Sequence, residues 1–217
     1  MLRSTGVRGV ASRLCVLLLL GPGSAASQPL QQVPDGLSAS QYYELGKQYK
    51  AAGWPEQARE ALTRSMKADP QGVGKKADIY LRAYIPRDPV PAFAVQMNID
   101  GYNKMAQGDQ AGAIRAFREC IDLFPRFEWP YGNLGSIYTE QGRTKEAKEI
   151  LEKAVTINPS YVNGWLHLVE ANLKDRDLKA ARDAVQTALQ LDPENPYAQL
   201  LLQLITAQQA LAFDNIA

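Results

Sequence analysis

The chain has 217 residues, with 24 basic and 23 acidic side chains and a formal net charge of +1. The first 27 residues carry three arginines and no acid, so the remainder has 21 basic against 23 acidic side chains, a balance of −2. This balance argues against the clustered basic surface of a nucleic-acid-binding protein and against polybasic attraction to an anionic membrane.

Residues 1–27 have the layout of a secretory signal peptide. Arginines precede the apolar run of residues 14–20, which a Gly-Pro-Gly break and the small residues 24–27 follow. This order predicts export with cleavage near Ala26 or Ser27, and the run is far shorter than the ~20 residues that span a bilayer. An acid-free stretch with Arg and Ser also fits a mitochondrial presequence. The predicted location is therefore secreted or periplasmic, with a mitochondrial alternative.

A period of 34 residues dominates the rest of the chain. Pro125, Pro159 and Pro193 mark it, and small residues recur at fixed places before each proline, as at Gly101 and Gly135. A fixed period of this length indicates stacked repeats. Four units are legible, at residues 39–72, 94–127, 128–161 and 162–195.

Each unit predicts a helix–turn–helix hairpin. Apolar residues fall at helical spacing in two stretches separated by a turn, and three of the turns carry Gly53, Gly108 or Gly142. Glycine suits a left-handed helix end, and small residues such as Gly135 and Ala147 allow two helices to approach closely. Because one hairpin cannot bury its apolar face alone, the repeats predict an all-α solenoid of stacked hairpins.

The pattern resembles the tetratricopeptide repeat (TPR) family in its length and in its Leu-Gly, Tyr, Ala and Pro positions. The unit at residues 128–161 fits best, with Leu134, Gly135, Tyr138 and Ala147 in place. The four units cover roughly two thirds of the chain. The resemblance implies a right-handed α-solenoid of TPR hairpins with a C-terminal capping helix, and a function in binding other proteins.

Three segments lie outside the repeats. Residues 28–38 form a linker that contains Pro and Gln, and Ser38 with Gln41 predicts a capping box at its end. Residues 73–93 predict a short helix followed by an extended, proline-rich part, which is either a tolerated insertion or a device that covers the groove or recruits a partner. Residues 196–217 predict the capping helix and tail. Its predicted apolar stripe comprises Tyr197, Leu200, Leu201, Leu204 and Leu211.

Residues that support catalysis are scarce. His167 is the single histidine, and Cys120 is the single cysteine after the first 27 residues, so Ser/His/Asp, Cys/His and zinc arrangements lack members. Cys120 shares its repeat position with Ala154 and Ala188, which predicts a packed thiol. The chain is therefore predicted to be a non-enzymatic binding protein, with no cofactor, no metal site and no evident small-molecule substrate.

The TPR resemblance implies a concave groove, lined by the first helix of each hairpin, in which a protein or peptide partner binds. It disfavours the carboxylate clamp that grips chaperone tails, because the fourth unit has the uncharged Asn163 and His167 at the matching positions. The groove residues that the resemblance implies are Tyr43, Lys47, Asn98, Tyr102, Trp129, Asn133, Ser136, Leu166, His167 and Glu170.

Three roles stay open at this point. The first is an exported adaptor that holds a segment of another protein in the groove. The second is a structural subunit of a larger envelope or organellar assembly, which docks through the insert or the C-terminal helix or forms a homo-oligomer. The third is an accessory half of an enzyme whose catalytic chain is separate. None of the three involves nucleic acid, and membrane contact is expected only transiently, through the leader.

Overall fold

The computed structural model describes residues 32–214, and side chains as far as residue 210. Within that range the chain is all-α, in agreement with the prediction, and no strand occurs there. The signal-peptide prediction for residues 1–27 lies outside the described residues. The helices are α1 (Ala39–Ala51), α2 (Pro55–Ala68), α3 (Val73–Tyr84), α4 (Ala92–Ala106), α5 (Gln110–Leu123), α6 (Glu128–Glu140), α7 (Thr144–Ile157), α8 (Val162–Lys174), α9 (Leu178–Leu191) and α10 (Pro196–Asp214).

Four hairpins form from α1–α2, α4–α5, α6–α7 and α8–α9. In the first three turns Gly53, Gly108 and Gly142 adopt the left-handed conformation, with φ between +73° and +83°. The fourth turn places Arg176 at φ 61°, a conformation that is uncommon for a residue with a Cβ. The turn geometry is therefore kept even where the sequence lacks the glycine.

Polar side chains begin several of the helices. Ser38 forms the predicted capping box of α1, in which its Oγ accepts from the Gln41 amide at 3.3 Å and its own amide donates to Gln41 Oε1 at 2.9 Å. Asp109 and Asp177 accept from amides in the first turns of α5 and α9. These side chains satisfy helix-start amides that have no partner within the helix.

Small residues of the repeat let the two helices of a hairpin meet. A Cβ on Gly135 would lie 2.4 Å from Leu151 Cγ, and one on Gly101 would lie 2.6 Å from Phe117 Cε1. Ala147 is fully buried. The small residues in the sequence pattern therefore indicate the positions at which the two helices of a hairpin approach closely.

Cys120 has the packed environment that the sequence predicts. Its thiol is fully buried and lies 3.6 Å from the carbonyl oxygen of Ala94, to which it donates. Burial raises the pKa of the thiol to about 11. At neutral pH the side chain is therefore an uncharged part of the core.

The insert changes how the first hairpin joins the others. Elsewhere the second helix of a hairpin packs on the next first helix, as α5 does on α6, but α2 packs instead on α3. The approach of α2 and α3 is close, because a Cβ on Gly74 would lie 2.9 Å from Met66 Cα. We call α1–α3 the N-terminal helices and α4–α10 the C-terminal stack. The non-helical residues 85–91 join them.

The longest helix, α10, ends the C-terminal stack. Ala198, Leu201 and Ile205 are buried, whereas Tyr197, Leu200 and Leu204 are among the most exposed large apolar side chains of the described residues. The prediction that Leu200 and Leu201 share one stripe is wrong, because successive helical residues differ by about 100° in direction. No helix between residues 32 and 214 combines the length and the apolar character needed to cross a bilayer.

Candidate functional site

The first helices of the C-terminal stack lie beside one another. Asn133 Nδ2 on α6 donates to Asn98 Oδ1 on α4 at 2.9 Å. Tyr197 on α10 donates its hydroxyl proton to Glu170 Oε1 on α8 at 2.7 Å. The first bond links the first helices of hairpins 2 and 3, and the second links the first helix of hairpin 4 to the capping helix α10. Because α6 also packs on α8, residues of successive repeats lie along one side of the stack.

Part of the predicted groove lies along that side and is accessible. Tyr102 is 53% exposed, and the other accessible members are partly buried. A partner could contact them without rearrangement of the backbone. We call this set the first-helix face, and it comprises Tyr102, Asn133, Ser136, His167 and Glu170.

Glu170 gives the first-helix face a negative charge. Its Oε2 lies 3.1 Å from His167 Nδ1, and its Oε1 accepts from Tyr197. Burial alone would raise the pKa of Glu170, but the hydrogen bonds from His167 and Tyr197 hold it below its ordinary value. The carboxylate is therefore ionised at neutral pH and can attract a donor or a cation.

Two predicted groove residues are buried instead. Asn98 and Leu166 are each only 6% exposed, so neither can contact a partner in this conformation. The turn of hairpin 1 lies next to Ile99, the residue after Asn98, since a Cβ on Gly53 would be 2.7 Å from Ile99 Cδ1. Leu166 belongs to the same apolar core as Ala83 of α3. Asn98 is paired with Asn133 and Leu166 packs in the apolar core, which helical periodicity alone does not show.

Tyr43 and Lys47, which were also predicted to line the groove, make their contacts within the N-terminal helices. The ring of Tyr43 meets that of Tyr80 on α3 edge-to-face, with centroids 6.0 Å apart. Lys47 Nζ lies 3.1 Å from Glu44 Oε2 and 5.3 Å from the centre of the Tyr43 ring. The insert thus provides an aromatic partner for Tyr43.

The groove prediction requires that Trp129 project freely from its helix, and it does not. It is partly buried, its ring centroid lies 5.5 Å from that of Phe127, and it packs in a cluster with Val90 of the insert. Lys50 Nζ of α1 lies 5.9 Å from the Trp129 ring centre, and burial lowers the pKa of Lys50. Trp129 therefore joins the insert and the N-terminal helices to the C-terminal stack.

The sequence reading missed Glu128, a fully buried carboxylate in the first turn of α6. Its Oε1 accepts from the Arg87 amide at 2.9 Å and from Asn158 Nδ2 at 2.7 Å. Burial raises the pKa of Glu128, and the hydrogen bonds from Asn158 and Arg87 lower it in part. The one signal in the sequence was the position of an acid near a helix start. The helix dipole favours acids there whether they are buried or exposed, so this signal does not indicate burial.

Glu128→Gln is expected to change how stability depends on pH. A folded-state pKa above the usual value of 4.5 means that wild-type stability is fully present below that value and falls as pH rises towards the folded-state pKa. Glutamine keeps an acceptor oxygen and carries no charge. The stability of wild type relative to the variant should therefore decrease as pH rises above about 4.5, measured by urea denaturation.

Glu119→Gln, at an exposed position on α5, is the matched control for that experiment. Its stability relative to wild type should change less over the same pH interval, because an exposed carboxylate loses little solvation on folding. Parallel pH profiles for wild type and Glu128→Gln would contradict the assigned environment of Glu128.

Sequence comparison agrees with the hairpin architecture. Profiles of the tetratricopeptide repeat match residues 104–161 and 138–205, and a further one matches residues 39–71. Together these matches cover more than half of the chain. The chain belongs to the tetratricopeptide repeat family. The matches fall on all four hairpins of this TPR protein and omit α3.

Curated relatives match the TPR protein over about half of its length. It is 27% identical over 110 residues to General transcription factor 3C polypeptide 3 of Homo sapiens, which covers 51% of this chain and 12% of the relative. It is 26% identical over 110 residues to Small glutamine-rich tetratricopeptide repeat-containing protein 2 of Mycosarcoma maydis, with 51% and 31% covered. The chain spans less than a third of the length of either relative.

Solved structures show the same repeat architecture. The first TPR of Spaghetti (RPAP3), bound to the HSP90 peptide SRMEEVD, is 26% identical with a TM-score of 0.51, covering 55% of this chain and 93% of that one. The first TPR domain of human RPAP3 is 25% identical with a TM-score of 0.53, covering 57% and 96%. The TPR protein is thus similar in fold to a domain that has been solved with a bound peptide.

Proposed function

We propose that this TPR protein is a non-enzymatic adaptor that binds a segment of another protein on its first-helix face. The observation that carries the proposal is Tyr102, a large aromatic side chain that remains 53% exposed on the first helix of hairpin 2. Aromatic side chains are enriched among the residues that dominate binding energy at interfaces. Asn133 and Glu170 add hydrogen-bonding groups and a charge on the same face.

The similarity to peptide-binding TPR domains supports the proposal that the partner is a protein or peptide segment. The first TPR of Spaghetti is described with a bound HSP90 peptide, so a comparable fold can hold a protein segment. A carboxylate clamp uses a cluster of cations to hold the terminal carboxylate of a chaperone tail. This chain has instead the uncharged Asn163 and a His167–Glu170 pair. We therefore expect a partner segment that brings a donor or a cation to Glu170, rather than a chaperone tail.

The proposed place of action is outside the cytoplasm, after removal of the leader. The basic start, the apolar run and the small residues of residues 1–27 support export. A mitochondrial location is the alternative, since the stretch contains Arg and Ser and lacks acids. The partner should accordingly be sought in an extracytoplasmic fraction first, and in an organellar one second.

Tyr102→Ala is expected to weaken partner capture by about 2 kcal/mol, or roughly 30-fold. The tagged full chain is incubated with the extracytoplasmic fraction, captured proteins are identified, and affinity is then measured with the purified partner. Because Tyr102 is exposed, the thermal melt should hardly change. Equal affinity of the variant and wild type would contradict the use of the first-helix face.

Phe93→Ala is the matched control for Tyr102→Ala. Phe93 is 64% exposed and lies nine residues earlier on α4, which places it on the opposite side of the helix at about 100° per residue. It should leave partner affinity unchanged. A loss of affinity in both variants would show that the effect does not come from the first-helix face.

The second candidate function is a structural subunit that docks through α10. The specific observation is the exposed apolar row of Tyr197, Leu200 and Leu204, with exposed fractions of 44%, 59% and 45%. The same capture experiment distinguishes the two functions. Capture that survives Tyr102→Ala and is lost with Leu200→Glu would favour docking through α10.

A further inference from the structure

The end of α3 is held on the C-terminal stack by a partly buried phenol. The hydroxyl of Tyr84 donates to Asp192 Oδ2 and accepts from Asn195 Nδ2 at 2.9 Å. Asp192 and Asn195 belong to the loop between α9 and α10. Tyr84 therefore connects the insert to residues that lie more than 100 positions further along the chain.

Arg87 makes a second connection, to hairpin 3. Its amide donates to Glu128 Oε1 at 2.9 Å, and its guanidinium Nη1 donates to the carbonyl oxygen of Ile157 at 2.9 Å. Asn158, the next residue, holds the same Glu128 oxygen through its side-chain amide. The start of α6 and the end of α7 thus form one receptor for the main chain and the side chain of Arg87.

Apolar packing fills the space between these polar contacts. Ala83 is 1% exposed and belongs to the core that includes Val162 and Leu166 of α8, and Ile85 is also 1% exposed. We call residues 83–87 the strap. We call its polar receptor, formed by Glu128, Ile157, Asp192 and Asn195, the strap site.

The charges of the strap and its receptor are complementary. The receptor side carries Glu128 and Asp192, and Glu194 lies 3.4 Å from Lys76 of α3. The Lys76–Glu194 pair is exposed, so its contribution is small. Specificity therefore rests on the hydrogen bonds of the partly buried Tyr84 and on the Arg87 amide, which donates to the buried Glu128. Tyr84 and Arg87 are spaced three residues apart.

The strap leaves one receptor atom unsatisfied. Glu128 Oε2 is buried and accepts no hydrogen bond from any residue in the described range, whereas Arg87 offers only its amide to this carboxylate. A segment that brought a guanidinium to Oε2 would satisfy an atom for which burial without a partner is unfavourable. The strap therefore leaves one hydrogen-bond acceptor of the strap site, Glu128 Oε2, without a donor.

The N-terminal helices do not depend on the strap site for their own packing. α3 packs mainly on α2 and contacts α8 less extensively, and Ala77 of α3 is fully buried. Release of Tyr84 and Arg87 would therefore leave the α2–α3 interface in place. Residues 85–91, which include the C-terminal part of the strap, are non-helical and can change direction without unwinding a helix, and Tyr84 is the last residue of α3.

We infer that the strap is a resident ligand of the strap site, and that a basic partner segment with Tyr followed three residues later by Arg binds there by displacing it. This inference rests on the proposed adaptor function and names the chemistry of its partner. A tethered ligand acts at an effective concentration that reaches the millimolar range. The apparent affinity for a partner is then reduced in proportion to the fraction of chains whose site is open.

The test uses the full chain and a fluorescent synthetic peptide that copies residues 80–91, with fluorescence anisotropy as the readout. Tyr84→Phe combined with Arg87→Ala weakens the strap and leaves the strap site intact. This opened variant should bind the peptide at least tenfold more tightly than wild type. A peptide with the same two replacements should bind the opened variant at least tenfold more weakly than the native peptide does.

Tyr80→Phe combined with Arg82→Ala is the matched control. Both residues lie on α3, and Arg82 pairs with Asp78 of the same helix at 2.5 Å. Phenylalanine at position 80 keeps the ring that packs 4.9 Å from the Tyr84 ring, so neither substitution removes a hydrogen bond between the strap and the strap site. The control should bind the peptide as wild type does. Equal peptide affinity of the opened variant and wild type, absence of binding to both, or indifference to the Tyr and Arg of the peptide would each overturn the inference.

A second measurement keeps the test valid if the opened variant does not fold. In Tyr84→Phe alone, excess peptide should accelerate hydrogen exchange of the Arg87 amide, which donates to Glu128. Unchanged exchange at saturating peptide would overturn the inference. The proposed function fails separately, through partner capture that does not respond to Tyr102→Ala.

Discussion

Gly135→Leu is expected to lower the free energy of unfolding by about 3 kcal/mol, at the upper end of the cost of overpacking. A Cβ at this position would already lie 2.4 Å from Leu151 Cγ and 2.5 Å from Leu151 Cδ2. Leu151 is fully buried, and protein interiors are close-packed. Relief therefore requires that α6 and α7 separate, which also disturbs hairpins 2 and 4 on either side.

The measurement is urea denaturation followed by circular dichroism, which gives the free energy of unfolding. Gln203→Leu adds a similar side chain at an exposed position of α10 and should change the midpoint little. A Gly135→Leu midpoint equal to that of wild type would contradict the assigned contact between α6 and α7.

The fold could be predicted because its determinants are local and repeated. Gly135 and Ala147 mark the contact between two adjacent helices, and the same spacing recurs in each unit. Ser38 and Gln41 lie three residues apart, so their capping box needs no tertiary information. A 34-residue period then fixes how successive hairpins stack, and this is why α4–α10 follow the expected order.

The candidate site was less predictable because burial on a helix depends on what packs against it. Periodicity places Asn98 and Leu166 on the first-helix side, but both are buried, Asn98 beside Asn133 and Leu166 in the apolar core. Glu128 is paired with Arg87, which is 41 residues away, and no short-range pattern links the two. Tyr102, which the TPR resemblance places in the groove, is 53% exposed.

The position of the insert also explains why Trp129 differs from Tyr102. Both are aromatic residues of first helices, and the TPR resemblance treats them alike. Val90 packs in the cluster that includes Trp129, whereas Tyr102 lies beyond the covered part of α4 and is exposed. An aromatic side chain on the same side of the solenoid can therefore be an anchor for a partner or a contact within the chain, depending on the insert.

Trp129→Ala is accordingly expected to destabilise the protein by about 2–3 kcal/mol, somewhat less than the ~3–5 kcal/mol of a fully buried tryptophan. The variant loses packing against Phe127 in the cluster that also contains Val90, and removes the ring beside Lys50. Thermal and urea denaturation measure the loss directly. Trp129→Phe keeps an aromatic ring in the cluster and should recover part of the lost stability.

Partner capture separates this structural role from an anchoring one. If Trp129 holds the insert in place, capture by Trp129→Ala should fall only in proportion to the unfolded fraction, when measured well below the melting temperature of the variant. Tyr102→Ala should show the opposite behaviour, with capture lost and stability kept. A Trp129→Ala protein that melts like wild type and captures its partner about 30-fold more weakly would assign Trp129 to the interface, because the cluster with Val90 would then contribute nothing to stability.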